Sequence, residues 1–304
     1  MRSTNGYKTM LAILASSALL AACKSGVDRV SSTQRSALLD EQGAALPASL
    51  RDSGGQSTSS LTELPVLVDA ATATTARVEG VAAFERGDAK GAVEKLKVAV
   101  TGKPDDPFAH YLLGLALRKT GDLEGAADSL ETSLTQDATR PKTWINLARV
   151  QMDRKDPVAA LVAAQKALEI DPSSADGYHQ EGRALLALNR TDEAKASLEK
   201  ARELDPSNGY AANTLGLLLI QSGHPADAIP HLEAAKASLS NVAYVRNNLG
   251  VAYERTGRLA EALVEYQAAV DAGDTGNGLK SLARLGPLVP KDAPAVAVAV
   301  TGKE

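Results

Sequence analysis

The sequence predicts an all-α protein in which six helix-turn-helix repeats stack into a right-handed α-α superhelix, closed by a C-terminal capping helix. The first observation is a period of 34 residues that runs without insertion over residues 73–276. Small residues recur in three registers of this period: Gly80, Gly114, Ala148, Gly182, Gly216 and Gly250; Ala92, Ala126, Ala160, Ala194, Ala228 and Ala262; and Ala99, Ser133, Ala167, Ala201, Ala235 and Ala269. Repeats of this length form solenoids, because each unit buries its apolar face only against its neighbours.

The second observation is that each copy contains two amphipathic stretches. In the fourth copy they are residues 175–188 and 192–204. The apolar residues of the second stretch follow a helical spacing, which places them on one face of a helix: Ala194, Leu198, Ala201 and Leu204. Each copy is therefore predicted to be a pair of helices.

The third observation is the placement of residues that end helices. The turn inside the pair carries glycine or asparagine in five copies: Gly87, Gly121, Asn189, Gly223 and Gly257. These residues tolerate the left-handed conformation that ends a helix. Lys155 stands at this place in the third copy, so we expect that turn to close differently. Copies one, three and four close with proline, which cannot continue a helix: Pro104, Pro172 and Pro206.

Larger residues repeat around the small ones. The third copy has Trp144, Leu147 and Ala148 in its first stretch. The sixth copy carries the fuller pattern Leu249, Gly250, Tyr253, Ala262, Tyr266 and Ala269. This pattern resembles the tetratricopeptide repeat family over 73–276, about two-thirds of the chain. The departures are Glu79 and Glu181 for a usual leucine, and Ala138, Ser240 and Asp274 for a usual closing proline. The resemblance implies a scaffold for protein–protein interactions.

Residues 1–22 have the features of a bacterial export signal. Arg2 and Lys8 precede an apolar run that is too short to span a bilayer. The run ends in Leu-Ala-Ala-Cys at residues 20–23, which resembles the lipobox of bacterial lipoproteins and implies lipid attachment at Cys23, the only cysteine. The alternative is a non-lipidated export signal with an incidental cysteine. Lys24 follows in place of the aspartate that retains many lipoproteins at the inner membrane, so we expect an outer-membrane location facing the periplasm, with the inner membrane as the alternative.

The segments outside the repeats differ in composition. Residues 23–72 are rich in Ser, Thr, Ala, Gly and Gln, which predicts a flexible tether after the lipidated cysteine. Residues 277–304 are expected to form a short capping helix, from 279 to 285, followed by a disordered tail with three prolines.

Composition and motifs argue against several functions. The chain has a net charge of −4 and a pI near 5.7, so it lacks the excess of basic residues that is typical of nucleic-acid-binding proteins. The sequence has no glycine-rich phosphate loop and no histidine pair at metal-ligand spacing, since His224 and His231 are flanked by prolines. We expect no catalysis, no cofactor, no metal site and no small-molecule substrate.

The resemblance also implies where a partner binds. Positions are numbered from one in each copy, so that position one is residue 73, 107, 141, 175, 209 or 243. In the family, the first helix of each pair lines a concave groove, and ligand contacts come mainly from positions two, five, nine, twelve and thirteen. The predicted peptide-binding residues at these positions are Arg149, His179, Arg183, Tyr210, Asn213, Leu217, Tyr244, Asn247 and Val251.

Their chemistry suits a peptide. Tyrosine offers apolar area with a polar tip, asparagine bonds a backbone as donor and acceptor, and arginine holds carboxylates. In the alternative interpretation the tyrosines only pack against the next repeat, and the arginines pair with Asp153 or Asp176.

A lipobox followed by six such repeats resembles the pilotin-type lipoproteins of type IV and Flp (Tad) pilus assembly. This layout implies a lipid-anchored protein that binds a secretin subunit or another envelope protein and assists a pilus or secretion apparatus. Two alternatives stay open: an outer-membrane adaptor that recruits peptidoglycan hydrolases or proteases, and a subunit that assembles outer-membrane proteins.

Overall fold

The structure, a computed structural model, describes residues 68–288, which form thirteen α-helices and contain no strand. The helices are α1 Ala70–Glu85, α2 Ala89–Gly102, α3 Pro107–Thr120, α4 Leu123–Gln136, α5 Pro141–Asp153, α6 Pro157–Ile170, α7 Ala175–Ala187, α8 Thr191–Leu204, α9 Gly209–Gln221, α10 Pro225–Ser238, α11 Ala243–Arg255, α12 Leu259–Asp271 and α13 Asn277–Leu285. A short 3-10 helix, Gly286–Leu288, follows. The predicted all-α repeat fold is confirmed. The predicted export signal, Cys23, most of the tether and the tail lie outside the described residues.

Local sequence fixes where the helices begin and end. Asp88, Asp122 and Asp156 each accept a hydrogen bond at 2.9 Å from the backbone N–H three residues later, which satisfies a free donor of the first turn. The glycines of the turns inside the helix pairs have positive φ, as does Asn189 at 59°. Lys155 also has a positive φ, 67°, so the third turn closes like the others and the expectation of a different closure was wrong. The turn is closed by backbone hydrogen bonds from Lys155 N–H to Met152 O at 3.2 Å and from Asp156 N–H to Gln151 O at 2.9 Å, the same pattern as at the turn of Gly121.

The two helices of a pair cross where position eight faces position twenty-four. A Cβ atom on Gly216 would lie 2.5 Å from Cγ of Leu232, and one on Gly250 would lie 2.7 Å from Cε1 of Tyr266. In copy three, alanine occupies both positions, and Ala148 and Ala164 are both fully buried. The crossing therefore accommodates either glycine at position eight with a large residue at position twenty-four, or alanine at both positions. Either combination fills a similar volume.

The helices pack in a one-dimensional array. Each odd-numbered helix from α1 to α11 packs against its pair mate, and each from α1 to α9 also touches the next odd-numbered helix, whereas no contact of comparable extent joins two even-numbered helices of the described chain. The odd-numbered helices therefore lie on the inner side of the curve. We call the exposed surface of the odd-numbered helices α1 to α11 the inner groove.

Helix α13 closes the array. Leu285 is buried in the core cluster of the last repeats, beside Tyr253 and Tyr266. The period places Arg284 where earlier copies have glycine or alanine, and Arg284 forms an ion pair with Glu254 at 2.7 Å. No helix within residues 68–288 is both long enough and apolar enough to cross a membrane.

Candidate peptide-binding groove

The structure places all nine predicted groove residues on odd-numbered helices. Arg149 lies on α5; His179 and Arg183 on α7; Tyr210, Asn213 and Leu217 on α9; and Tyr244, Asn247 and Val251 on α11. They divide into buried residues that connect neighbouring repeats and accessible residues that line the inner groove.

The position-five residues His179 and Asn213 belong to the buried group. His179 is 6% exposed and its Nε2 lies 3.1 Å from the Thr214 hydroxyl. Asn213 is 7% exposed and accepts a hydrogen bond at 2.9 Å from Nδ2 of Asn248. Both bonds join position five of one copy to position six of the next. These side chains hold the repeats in register, and their polar atoms face the next helix.

A hydrogen-bond chain connects Arg183 to this contact. Its guanidinium donates to Oε1 of Gln180 at 2.9 Å, and the Gln180 amide lies 3.4 Å from Nδ1 of His179. The Thr214 hydroxyl donates to the backbone oxygen of Tyr210 at 2.9 Å, so it accepts from His179, which places the imidazole proton on Nε2. Burial, followed by the charges of Arg183 and Arg149, lowers the pKa of His179 to about 3, and the ring is neutral at pH 7.

The tyrosines belong to the accessible group. Tyr210 is 53% exposed and Tyr244 is 47% exposed, one repeat apart on adjacent inner helices. Leu217 and Val251 are half-buried and lie about two turns further along the same face of these two helices, and Val251 also packs against the core. Together they form an accessible apolar strip with two phenol groups, which we call the tyrosine strip. The side-chain oxygen of Asn247 is buried and accepts no hydrogen bond within the described chain.

Three arginines approach one another across α3, α5 and α7. Arg118 forms an ion pair with Asp153 at 2.7 Å, and Arg149 forms one with Asp176 at 3.1 Å. Burial lowers the pKa of Arg183, the charge of Asp153 opposes this effect, and Arg118 and Arg149 lower the pKa further. Burial also raises the pKa of Tyr244, an effect that Tyr210 strengthens and Arg183 opposes. Arg183 therefore lies within electrostatic range of both the arginine cluster and the tyrosine strip.

The groove also contains a second accessible apolar surface, which was not among the predicted binding residues. A cleft of about 390 Å³ opens between α3 and α5, with Phe108 38% exposed at its edge. The rings of Phe108 and Tyr111 stack at 6.2 Å, and the Arg140 guanidinium lies 5.9 Å from the Phe108 centroid. The signal was available, because Phe108 and Tyr111 occupy positions two and five of copy two.

The family profile described as the tetratricopeptide repeat matches residues 77–141, 111–175, 179–242 and 213–277. These matches cover more than half of the chain, and the chain belongs to the tetratricopeptide repeat family. The family's fold is a helical scaffold suited to protein–protein interactions. No curated protein matches the chain significantly.

Solved structures share the fold. A structure of PilF from Pseudomonas aeruginosa superposes with a TM-score of 0.55 at 24% identity, covering 64% of this chain and 89% of that one. TTC0263, a tetratricopeptide repeat protein of Thermus thermophilus, superposes with a TM-score of 0.52 at 24% identity, covering 60% of this chain and 98% of that one. At sequence identities of 24%, these superpositions establish only the shared solenoid fold.

Proposed function

We propose that this protein is a non-catalytic scaffold of the bacterial envelope that binds an extended segment of another envelope protein in its inner groove. The observation that carries the proposal is the tyrosine strip, in which Tyr210 and Tyr244 stay about half exposed on adjacent inner helices while Leu217 and Val251 are half-buried. Exposed tyrosines that line a groove are typical of binding surfaces, since they bury a large area on contact and offer a hydroxyl for hydrogen bonds.

The surrounding structure makes this surface rigid. Bonds between positions five and six hold α7, α9 and α11 together through His179 and Asn213. A preorganised surface loses little conformational entropy on binding, which favours capture of a segment that is itself extended and disordered. The partner segment would run across the inner helices, because the accessible side chains form a row across the repeats.

Anchoring at the membrane is the second part of the proposal. We propose that Cys23 carries the lipid, that residues 24–69 link it to α1, and that the solenoid faces the periplasm from the outer membrane. The support is the Leu-Ala-Ala-Cys sequence at residues 20–23 after a short apolar run. The lipid would keep the groove close to a partner that assembles in the same membrane.

The proposed biological role is assembly or localisation of a pilus or secretion apparatus, with a secretin subunit as the partner. The support is the layout that the chain shares with pilotin-type lipoproteins, a lipobox followed by six repeats. The likeness to PilF adds the shared fold to this layout.

Two variants test the two parts separately. Cys23→Ser should leave the solenoid folded, release the protein from the membrane fraction and abolish assembled secretin multimers. Tyr210→Ala combined with Tyr244→Ala should keep the protein at the membrane and still reduce the multimers, because the groove is impaired. Val162→Ala, at a 53% exposed residue on the outer helix α6, is the matched control and should change neither readout.

The outcomes discriminate among roles. Unchanged secretin multimers in both variants would contradict the pilus or secretion role. Altered cell shape with intact multimers would favour the adaptor for peptidoglycan hydrolases, and loss of several outer-membrane proteins at once would favour the assembly subunit.

A further inference from the structure

The middle of the inner groove has a charge opposite to that of the whole chain. In copies two to four, the groove positions two, five, nine, twelve and thirteen hold five basic residues and two acidic ones. The basic residues are Arg118, Lys119, Lys142, Arg149 and Arg183, and the acidic ones are Asp153 and Asp176. The formal charge of the complete chain is −4. A positive groove on an acidic protein is a local feature that selects for a negative ligand.

Arg183 is the least compensated of the three arginines, since no ion pair of the described chain includes it and it only shares the charge of Asp153 with Arg118. Arg118 and Arg149 each contact a carboxylate, at 2.7 and 3.1 Å. The one hydrogen-bond acceptor of the Arg183 guanidinium within the described chain is the neutral amide oxygen of Gln180, at 2.9 Å. Because arginine has five N–H donors in a planar fork, most of them stay available to a carboxylate.

The position of Arg183 connects the charged and the apolar parts of the groove. Arg118 and Arg149 lie on the side of the earlier copies, and Tyr244 lies on the side of the later copies. A ligand that reaches both parts would place carboxylates at the arginines and apolar side chains at the tyrosine strip. The hydrogen bond to Gln180, which leads on to buried His179, holds the Arg183 head group in place.

We infer that the groove contains a carboxylate subsite centred on Arg183, and that the partner segment carries a run of acidic side chains next to its apolar residues. This inference rests on the proposed function and adds the chemistry of the ligand. Side-chain carboxylates are favoured over a single terminal carboxylate because the basic residues extend over three repeats. Neighbouring inner helices lie about 10 Å apart, so copies two and four are separated by about 20 Å. An extended peptide rises about 3.3 Å per residue, so about six of its residues would span this distance.

The test uses fluorescence anisotropy with the full chain carrying Cys23→Ser, which keeps the repeat region intact and removes the lipid. The probe is a fluorescent peptide of about twelve residues with alternating aspartate and serine, acetylated and amidated so that only side chains carry charge. The counterparts are an asparagine peptide with the same caps and an asparagine peptide with a free C-terminal carboxylate. Inorganic phosphate is the competitor.

We expect the aspartate peptide to bind and both asparagine peptides to bind at least about tenfold more weakly. Arg183→Gln should weaken binding of the aspartate peptide at least about tenfold, and Arg183→Lys should weaken it less because the charge remains without the fork. The matched control is Arg190→Gln, which removes the same charge in the same copy from an arginine that pairs with Glu193 at 2.6 Å. Arg190→Gln should have little effect on binding of the aspartate peptide. For the unsubstituted groove, binding of the aspartate peptide should weaken as the salt concentration rises from about 50 mM to about 300 mM.

Several results would overturn the inference. Equal binding of the capped asparagine peptide would exclude a carboxylate subsite. Equal binding of the asparagine peptide with the free carboxylate would assign the site to a chain terminus. If inorganic phosphate displaced the aspartate peptide when both carried the same total concentration of negative charge, Arg183 would belong to a general anion site with no preference for carboxylates. Equal losses in Arg183→Gln and Arg190→Gln would indicate only long-range attraction. If Tyr210→Ala combined with Tyr244→Ala still reduces the secretin multimers while the aspartate peptide fails to bind, the inference fails alone and the proposed function stands.

Discussion

A single added methyl group tests how the helix pairs pack. In Gly216→Ala the new Cβ would lie 2.5 Å from Cγ and 2.7 Å from Cδ2 of Leu232, whereas carbon atoms pack favourably at about 3.5–4.0 Å. Leu232 is 0% exposed, so it has no open space to move into. Overpacking should cost about 1–3 kcal/mol, and the better helix propensity of alanine should offset about 1 kcal/mol of this. We expect a net loss of about 1 kcal/mol in the free energy of unfolding.

Copy three indicates how that loss can be reversed. Its alanines at positions eight and twenty-four, Ala148 and Ala164, are both fully buried. Leu232→Ala alone should cost about 2–5 kcal/mol because it leaves a cavity. With Gly216→Ala also present, the added methyl group fills part of that cavity and no longer clashes. The double variant should therefore lose about 1–2 kcal/mol less than the sum of the single variants.

The assay is urea unfolding followed by far-UV circular dichroism, with amide hydrogen exchange in α9 and α10 to localise the effect. Local exchange is needed because repeat arrays can unfold in parts. Ala148→Gly is the control, since it removes a buried methyl group without any clash and should lose about 1–2 kcal/mol. Additivity of the two single variants within about 0.5 kcal/mol would refute the packing explanation for the glycine.

Three further predictions concern the turn, the buried histidine and the cap. Lys155→Gly should raise the free energy of unfolding by up to about 1 kcal/mol, because glycine adopts the positive φ without strain. The increase would be measured as a higher urea midpoint. Burial lowers the pKa of His179 from 6.5 to about 3, so the unfolded chain takes up the proton first and the free energy of unfolding falls as the pH drops from about 6.5 towards 3. His179→Gln should make the free energy of unfolding depend less on pH in this range. His224→Gln, at an exposed residue, is the control and should not have this effect. Tyr266→Phe removes the hydroxyl that donates to Glu254 at 2.8 Å, and should cost about 1–2 kcal/mol and speed amide exchange in α13.

The repeat fold was predictable because its determinants are local and periodic. Small residues at a fixed spacing mark each helix crossing, and Gly80, Gly114 and Gly182 meet a leucine there as Gly216 does. The turn at Lys155 was not predictable from its own residue type. The hydrogen bonds that close the turn onto the end of α5 require a positive φ at this place, and they override the local preference of the lysine.

The groove was predictable only in part. The period identified the helices that line it, and Tyr210 and Tyr244 are accessible there. The roles of His179 and Asn213 were not evident, because their partners lie 35 residues later, at position six, a column that the family pattern does not associate with ligands. Which way a polar side chain points depends on the angle between neighbouring repeats, and the period alone does not give that angle.

Site-specific photo-crosslinking in living cells can show whether the inner groove is the surface that binds the partner. A photoreactive amino acid replaces Tyr210 or Tyr244 in the inner groove, and Val162 on the outer helix α6 in the control. We expect both groove positions to capture the same envelope protein, identified by mass spectrometry, and we expect Val162 not to capture it. Capture of that protein from Val162 with no product from Tyr210 or Tyr244 would contradict this expectation.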